Sequence, residues 1–262
     1  MIIMNEIKYC YKCSAPATSR EHVPPICLFP EAKDVLGLNF RNNLITVPSC
    51  DEHNSNKSHD DEFLMVTIAS IVGNNLIGYL QTQTKIGRAL RRKSKDFLNK
   101  EIIRNAKNYT LNTKNGKKFP VLHGNPNYDR LLKCFEHVAY GLYYNEFGYI
   151  FEGEIKMLMG FIKYNDHTTA TMTAMVKEKL KTDEIPHDLK GENPKIFKYQ
   201  FFEPDQFGLI AMVMNFYEGT EVFVSYKPKD AKEPFDLALS LIHSGINTNV
   251  KIGDKTFEFN KE

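Results

Sequence analysis

The run SCDEHN, residues 49–54, sets Cys50 and His53 two residues apart just ahead of a long apolar-rich stretch. An equivalent pair, Cys10 and Cys13 in CYKC (residues 10–13), lies 36 residues upstream. A two-residue spacer lets a tight backbone knuckle aim both side chains at one ion, and three thiolates with one imidazole suit tetrahedral zinc. Two such pairs carry far more weight than a lone C-x-x-C, which a redox dithiol also needs. Zinc binding also explains how a small N-terminal unit with a meagre apolar core folds, because the metal supplies folding free energy. Cys27 and Cys134 are left over and read as buried thiols.

Between the two pairs lies SREHVPP, residues 19–25, in which Glu21 and His22 are adjacent and two prolines follow. Pro24 and Pro25 remove two backbone donors and hold residue 23 extended, so a strand that presents His22 ends there. Adjacent residues of a strand point to opposite faces, which separates the carboxylate from the imidazole. His22 has an ordinary pKa near neutrality and is suited to accept a proton.

The chain has 262 residues, of which 42% are hydrophobic and 25% charged, the composition of a globular protein of more than one unit. No run of about 18 apolar residues is present, so no membrane span is expected. The N-terminus lacks a basic segment followed by a long apolar one, and the expected compartment is the cytoplasm. An odd number of cysteines, five, argues against a disulfide frame.

The net charge of +2 is unevenly spread. Residues 1–75 carry 6 basic and 9 acidic residues, residues 76–118 carry 12 and 2, and residues 119–262 carry 16 and 21. A basic segment in a mildly acidic chain suggests a polyanion contact, set against the plainer reading of a solvated helix face. Arg88, Arg91, Arg92 and Lys95 recur at helical spacing and form the candidate stripe for nucleic-acid backbone.

Periodicity predicts an amphipathic helix starting near Asp51, with Asp60, Asp61 and Glu62 on its surface and Lys57 either near phosphate or solvated. A basic helix is expected over 84–108, a boundary turn at TKNGKK (113–118), and a helix over 128–145. The runs LIAMVMNFY and TEVFVSYKP around the YEGT turn predict a β-hairpin. The expected division is residues 1–75, a basic helical connector 76–118, and an α+β domain 119–262.

With the two ligand pairs, Glu21-His22 and Asn54 directly after the fourth ligand, residues 8–65 resemble the HNH endonucleases of the His-Me finger, or ββα-metal, group. The stretch NNLITVPSC, residues 42–50, is similar to that family's N-L-x-x-L-C segment and puts Asn43 at the middle N. The resemblance implies an α+β fold: a zinc-stapled, treble-clef-like ββα-metal nuclease module at the N-terminus, then a helical segment and the α+β C-terminal domain. It implies phosphodiester hydrolysis, with DNA the expected substrate and 5′-phosphate and 3′-hydroxyl products. His22 is then the general base, Asn43 holds its ring through the loop, and Glu21 with Asn54 ligates a catalytic Mg²⁺ or Mn²⁺, a hard ion that keeps much of its water. This sequence departs from the family in carrying His53 where Cys is usual and Glu21 where Asp is more frequent. Small HNH enzymes of this layout resemble bacterial restriction or defence nucleases. The alternatives are a zinc-stapled nucleic-acid-binding module without turnover and a redox protein using Cys10 and Cys13. A homodimer through the C-terminal domain is a further expectation, and no membrane partner is expected.

Overall fold

The computed structural model describes residues 8–54, 57–92, 100, 102, 106–182, 189–232 and 234–261. The fold is mixed α+β, and the chain packs as two compact units. Unit 1 takes residues 1–151 with the short segments 192–197 and 216–219; unit 2 takes the rest.

Unit 1 begins with two short strands, β1 (Ser19–His22) and β2 (Thr46–Ser49), paired antiparallel with Glu21 opposite Val47 and His22 opposite Thr46. One more rung follows, from Val23 N–H to the Ile45 carbonyl at 3.0 Å. The strand then stops, as the two prolines require, and the Val23–Pro24 peptide is cis. Helix α1 (Ser58–Ala69) follows β2 and completes a ββα order.

The sequence expectation for α1 needs two corrections. The helix starts at Ser58, not near Asp51, because residues 51–54 are used in the Cys50–His53 knuckle, whose turn is closed by His53 N–H to Cys50 O at 3.2 Å. Nor is it amphipathic throughout: Phe63 to Ala69 are all buried, so its second half is core on every side.

A continuous helical run follows: α2 (Leu76–Gln81), a π turn (Thr82–Ile86) and α3 (Gly87–Arg92). Asn75 caps it by accepting from the N–H groups of Ile77 and Gly78. Of the expected basic helix over 84–108, residues 84–92 and Lys100 are helical, residues 93–99, 101 and 103–105 lie outside the described residues, and from Lys107 the chain is instead strand β3 (Lys107–Asn112), paired with β4 (Lys118–His123). TKNGKK is the tip of this hairpin, and the expected boundary after residue 118 falls inside β4.

Helix α4 (Tyr128–Phe147) has Asn127 as its N-cap and Gly148, at φ 79°, as its left-handed stop. Its apolar stripe, including Leu131, Phe135, Val138 and Leu142, is buried.

Unit 2 is built on a four-stranded sheet in the order β5-β8-β7-β6, from β5 (Gly153–Met159), β6 (Phe197–Phe201), β7 (Ile210–Phe216) and β8 (Thr220–Pro228). The expected hairpin is β7 and β8. Its turn places Tyr217 and Glu218 at positive φ of 50° and 60°, beside Gly219. Helices α5 (His167–Thr182) and α6 (Phe235–His243) and the hairpin of β9 (Thr248–Ile252) with β10 (Lys255–Phe259) complete the unit. No helix of the described residues is long and apolar enough to cross a membrane.

One close approach in unit 1 bears on the site. A Cβ built on Gly141 of α4 would lie 2.5 Å from Cγ2 of Val23, a β-branched side chain that is only 3% exposed. Glycine in mid-helix ordinarily costs stability relative to alanine. Here Gly141→Ala is expected to destabilise by about 1–3 kcal/mol, because Val23 has no rotamer freedom with which to retreat. Denaturant unfolding followed by circular dichroism measures this.

Candidate metal centre and the strand end beside it

Cys10, Cys13, Cys50 and His53 converge, with all four donor atoms within 4.8 Å of one another. Nδ1 of His53 stands 3.5, 3.5 and 3.3 Å from the sulfurs of Cys10, Cys13 and Cys50. The Cys13 and Cys50 sulfurs are 3.8 Å apart. Tetrahedral zinc, with bonds of about 2.3 Å to sulfur and about 2.0 Å to nitrogen, requires edges of about 3.8 Å between sulfurs and about 3.5 Å between sulfur and nitrogen. The four donors are thus set for zinc, and their edges are too long for a disulfide. All five cysteines are free thiols.

The local electrostatics agree with a ligand role. Burial pushes the Cys10 thiol up, but backbone N–H groups of Lys12, Cys50 and Cys13 outweigh it and leave the pKa below the ordinary value. Burial, with help from Lys12, lowers the pKa of His53, which keeps its ring neutral and its lone pair available. Tyr11, between the first two ligands, is fully buried and its hydroxyl meets Nδ1 of His137 at 3.1 Å. The His137 ring lies 5.7 Å from that of His53 and is kept neutral, its pKa pushed down to about 3 by burial first and Lys12 next. Lys12 itself pairs with Glu136 at 2.9 Å and sits 5.0 Å over the Tyr140 ring. These α4 residues brace the knuckle. The sequence did not reveal them, since nothing local to residues 136–140 marks a partner 124 positions away.

The knuckle delivers β1 and β2 to the site. Thr18 N–H bonds Ser49 O at 3.0 Å and Tyr11 N–H bonds Pro48 O at 2.8 Å. On β1 the expected alternation holds: Glu21 is buried, at 4% exposure, and His22 on the other face is half-buried. Asn54 lies in the turn before α1, not on the helix. Its amide donates to Ser19 Oγ at 2.8 Å and to the Arg20 carbonyl at 3.3 Å, so its own oxygen has no hydrogen-bond partner among the described residues.

Two features went unread in the sequence. Lys57 is buried at 7% exposure, its ammonium 2.7 Å from Glu21 Oε1 and 3.5 Å from Asp61 Oδ1. The signal was there: positions 57, 61, 64 and 68 share one helix face, and the latter two are core. Burial raises the pKa of both carboxylates, and Lys57 opposes the rise in each case. Asp61, read as a surface charge, therefore belongs to this cluster. It also lines a cavity of about 400 Å³ with Cys27, Glu31, Ser58, Lys85 and Arg88.

The loop from Pro24 to Ile45 is held at many points. Arg41 donates twice to the Phe29 carbonyl, Gln81 donates to the Cys27 and Leu28 carbonyls, and Tyr217 donates to Leu28 O at 2.5 Å. Arg88 forms a bidentate pair with Asp34, both contacts at 2.6 Å. Arg88 is therefore committed to bracing this loop and is withdrawn from the expected backbone-binding stripe. Arg91 is exposed; Lys95 and the side chain of Arg92 lie outside the described residues. Asn43 is exposed at φ 52°, a conformation asparagine tolerates well, and makes no hydrogen bond to His22. The His22 ring has no hydrogen-bond partner among the described residues. Its pKa lies below the ordinary value through burial and then the charge of Arg41.

Cys27 and Cys134 are structural. Their thiols donate to the Asp61 and Asp60 carbonyls at the start of α1, and burial pushes both pKa values up to about 12.

Comparisons of the chain with protein-family models, with curated proteins and with solved structures return no match.

Purified protein is expected to carry one zinc per chain by mass spectrometry of the intact complex. His53→Cys should retain it, and Cys13→Ser should lose it. Stripping with a strong chelator should lower Tm by at least about 10 °C, since zinc binding and folding are one equilibrium in such knuckles.

Proposed function

We propose that the chain is a metal-dependent HNH endonuclease that hydrolyses phosphodiester bonds, with DNA as the substrate expected from the resemblance. The observation that carries this reading is the end of β1: a buried carboxylate and a half-buried imidazole without a hydrogen-bond partner among the described residues, on opposite faces of the strand, with Asn54 bonded to that strand and the Cys/His knuckle at its base. A purely structural strand end has no need of an uncapped neutral imidazole at that position.

His22 acts as the general base. With its pKa depressed, the ring is neutral at pH 7 and accepts a proton from the attacking water. Glu21 and the oxygen of Asn54, which has no hydrogen-bond partner among the described residues, are hard donors of the kind Mg²⁺ or Mn²⁺ takes. An ion held there would supply charge relief on the phosphate and on the departing 3′ oxygen. Lys57 holds one Glu21 oxygen and sets the carboxylate's orientation. Burial, aided by the charge of Arg41, keeps His22 unprotonated, and Arg41 pins the loop that follows it.

A second reading, a zinc-stapled nucleic-acid-binding module without turnover, is favoured by one observation. The ammonium of Lys57 already satisfies Glu21. The two readings separate on supercoiled plasmid incubated with Mg²⁺ or Mn²⁺. The nuclease nicks or linearises it, and His22→Ala lowers the rate by about 10²–10⁴-fold with zinc content unchanged. Wild-type inertness across the divalent series, with binding intact, selects the module.

The acid limb of the pH–rate profile has a defined sign. Because His22 titrates below its ordinary value, activity is expected to survive through pH 6.5 and to fall only below it. Removing a nearby positive charge raises an imidazole pKa, so Arg41→Gln should move the limb to higher pH.

A further inference from the structure

Strand β3 of the β3–β4 hairpin in unit 1 contributes nothing to the core. All six residues of β3 are exposed, on both faces of the strand. An isolated two-stranded hairpin is marginal in water, so an arm of this kind is not explained by stability. Its composition is selective. Between Glu101 and Asp129 the sequence has no acidic residue and five basic ones. Four of these, Lys107, Lys114, Lys117 and Lys118, are on the hairpin, are exposed, and enter no ion pair among the described residues. In a chain whose net charge is only +2, four uncompensated cations on one 17-residue ribbon are a concentrated positive surface.

The two faces differ. Alternation and register put Lys107, Tyr109 and Leu111 on one side of the ribbon. Asn108, Thr110 and Asn112 take the other, paired in register with Leu122, Pro120 and Lys118. Lys114 and Lys117 flank the tip, where Gly116 supplies the positive φ of 77° and Thr113 N–H closes onto Lys117 O at 2.8 Å. Tyr109 stands edge-on to His123, ring centroids 5.6 Å apart, and stiffens the base of the arm.

We propose that this hairpin is a duplex-binding arm that lies in a groove of double-stranded nucleic acid. Lys107, Lys114, Lys117 and Lys118 meet phosphates, and the Asn108, Thr110 and Asn112 face turns toward the groove floor. A two-stranded ribbon fits the major groove of B-form DNA, which is about 12 Å wide, and side chains that both donate and accept suit base edges. The charge complementarity is that of a polyanion with closely spaced charges. The exposed amide and hydroxyl side chains of Asn108, Thr110 and Asn112 favour a groove over an anionic lipid surface, and because the other face presents the exposed Tyr109 and Leu111, vesicle binding is the competing outcome the test must exclude. The proposal rests on nucleic acid as the partner and not on hydrolysis.

The test uses the full chain with its metal, in a His22→Ala background so that no cutting intervenes. The hairpin variant is Lys107→Gln, Lys114→Gln, Lys117→Gln and Lys118→Gln together, and fluorescence anisotropy follows a labelled duplex over a salt series. Each lost phosphate contact removes about 0.9 from the slope of log affinity against log salt, so the variant's slope should be shallower by about 3–4. Between about 50 and 200 mM salt the parent should lose about 100-fold more affinity than the variant. An unchanged slope, with zinc content and Tm equal to the parent's, overturns the arm. So does loss of binding to anionic vesicles with duplex binding intact. Asn108→Ala with Asn112→Ala separates groove entry from plain charge: weaker duplex binding at an unchanged slope supports it, and no change overturns it. A wild-type protein that shows the slope change yet never cuts plasmid retires the nuclease reading and keeps the arm.

Discussion

Four donor atoms at the corners of a tetrahedron fix the geometry on which everything in the N-terminal region depends. Cys10 and Cys13 belong to one turn, Cys50 and His53 to another, and 36 residues separate them. Closing a loop of that length carries an entropic cost that grows only slowly with length, but it must be met before any contact inside the loop forms. Two strands of four residues each cannot meet it by pairing alone. Zinc-type ligation can, because its free energy is large compared with a few backbone hydrogen bonds. Once the two turns are joined, the register of β1 against β2 follows, and with it the face on which each of Glu21 and His22 stands.

The clamp does not act alone. Between β1 and β2 the chain runs through 23 residues with only two short 3-10 turns, Ile26–Leu28 and Ala32–Asp34. Such a stretch is held by side chains from elsewhere in unit 1. Gln81, Lys85 and Tyr217 all donate to the carbonyls of Cys27 or Leu28, and Arg88 grips Asp34. The donors come from the α2–α3 run and from the 216–219 segment, which explains why those parts of the chain pack with unit 1. A cation with a bidentate carboxylate partner is a brace first, and this is why the spacing of Arg88 with Arg91 and Arg92 misdirects the eye.

What was legible in the sequence shares one property: it was encoded within a few residues. The two ligand pairs, the proline stop after His22, the helix expected over 128–145 and the YEGT hairpin are all short-range patterns with a local physical cause. What was illegible depended on distance. The start of α1 shifted from Asp51 to Ser58 because a turn that serves the knuckle overrides the favourable charge of early carboxylates. The burial of Lys57 was only half legible: its place on the face of Leu64 and Ile68 is local, but its carboxylate partner Glu21 is remote in sequence. The β3–β4 ribbon, with its exposed strand β3, was hidden in a net-charge count that made residues 76–118 look like a basic helical connector. Charge totals are additive along a chain, whereas a lysine's role depends on whether a carboxylate stands opposite it in space.

The cluster of Glu21, Lys57 and Asp61 shows how those two levels meet. With all three ionised it carries one negative charge, and two of its members are nearly excluded from water. Burial raises the cost of each ionised carboxylate, and one ammonium cannot neutralise two. A folding advantage would be served better by an apolar trio of the same volume. The arrangement makes physical sense where a residual negative charge is itself useful, and under the function proposed above that surplus charge is what an incoming cation would meet. Lys57 then fixes where the surplus sits, by holding one oxygen of Glu21 and leaving the other. On this view the lysine complements an incoming ion, since it removes the freedom of a side chain one methylene longer than aspartate to turn away.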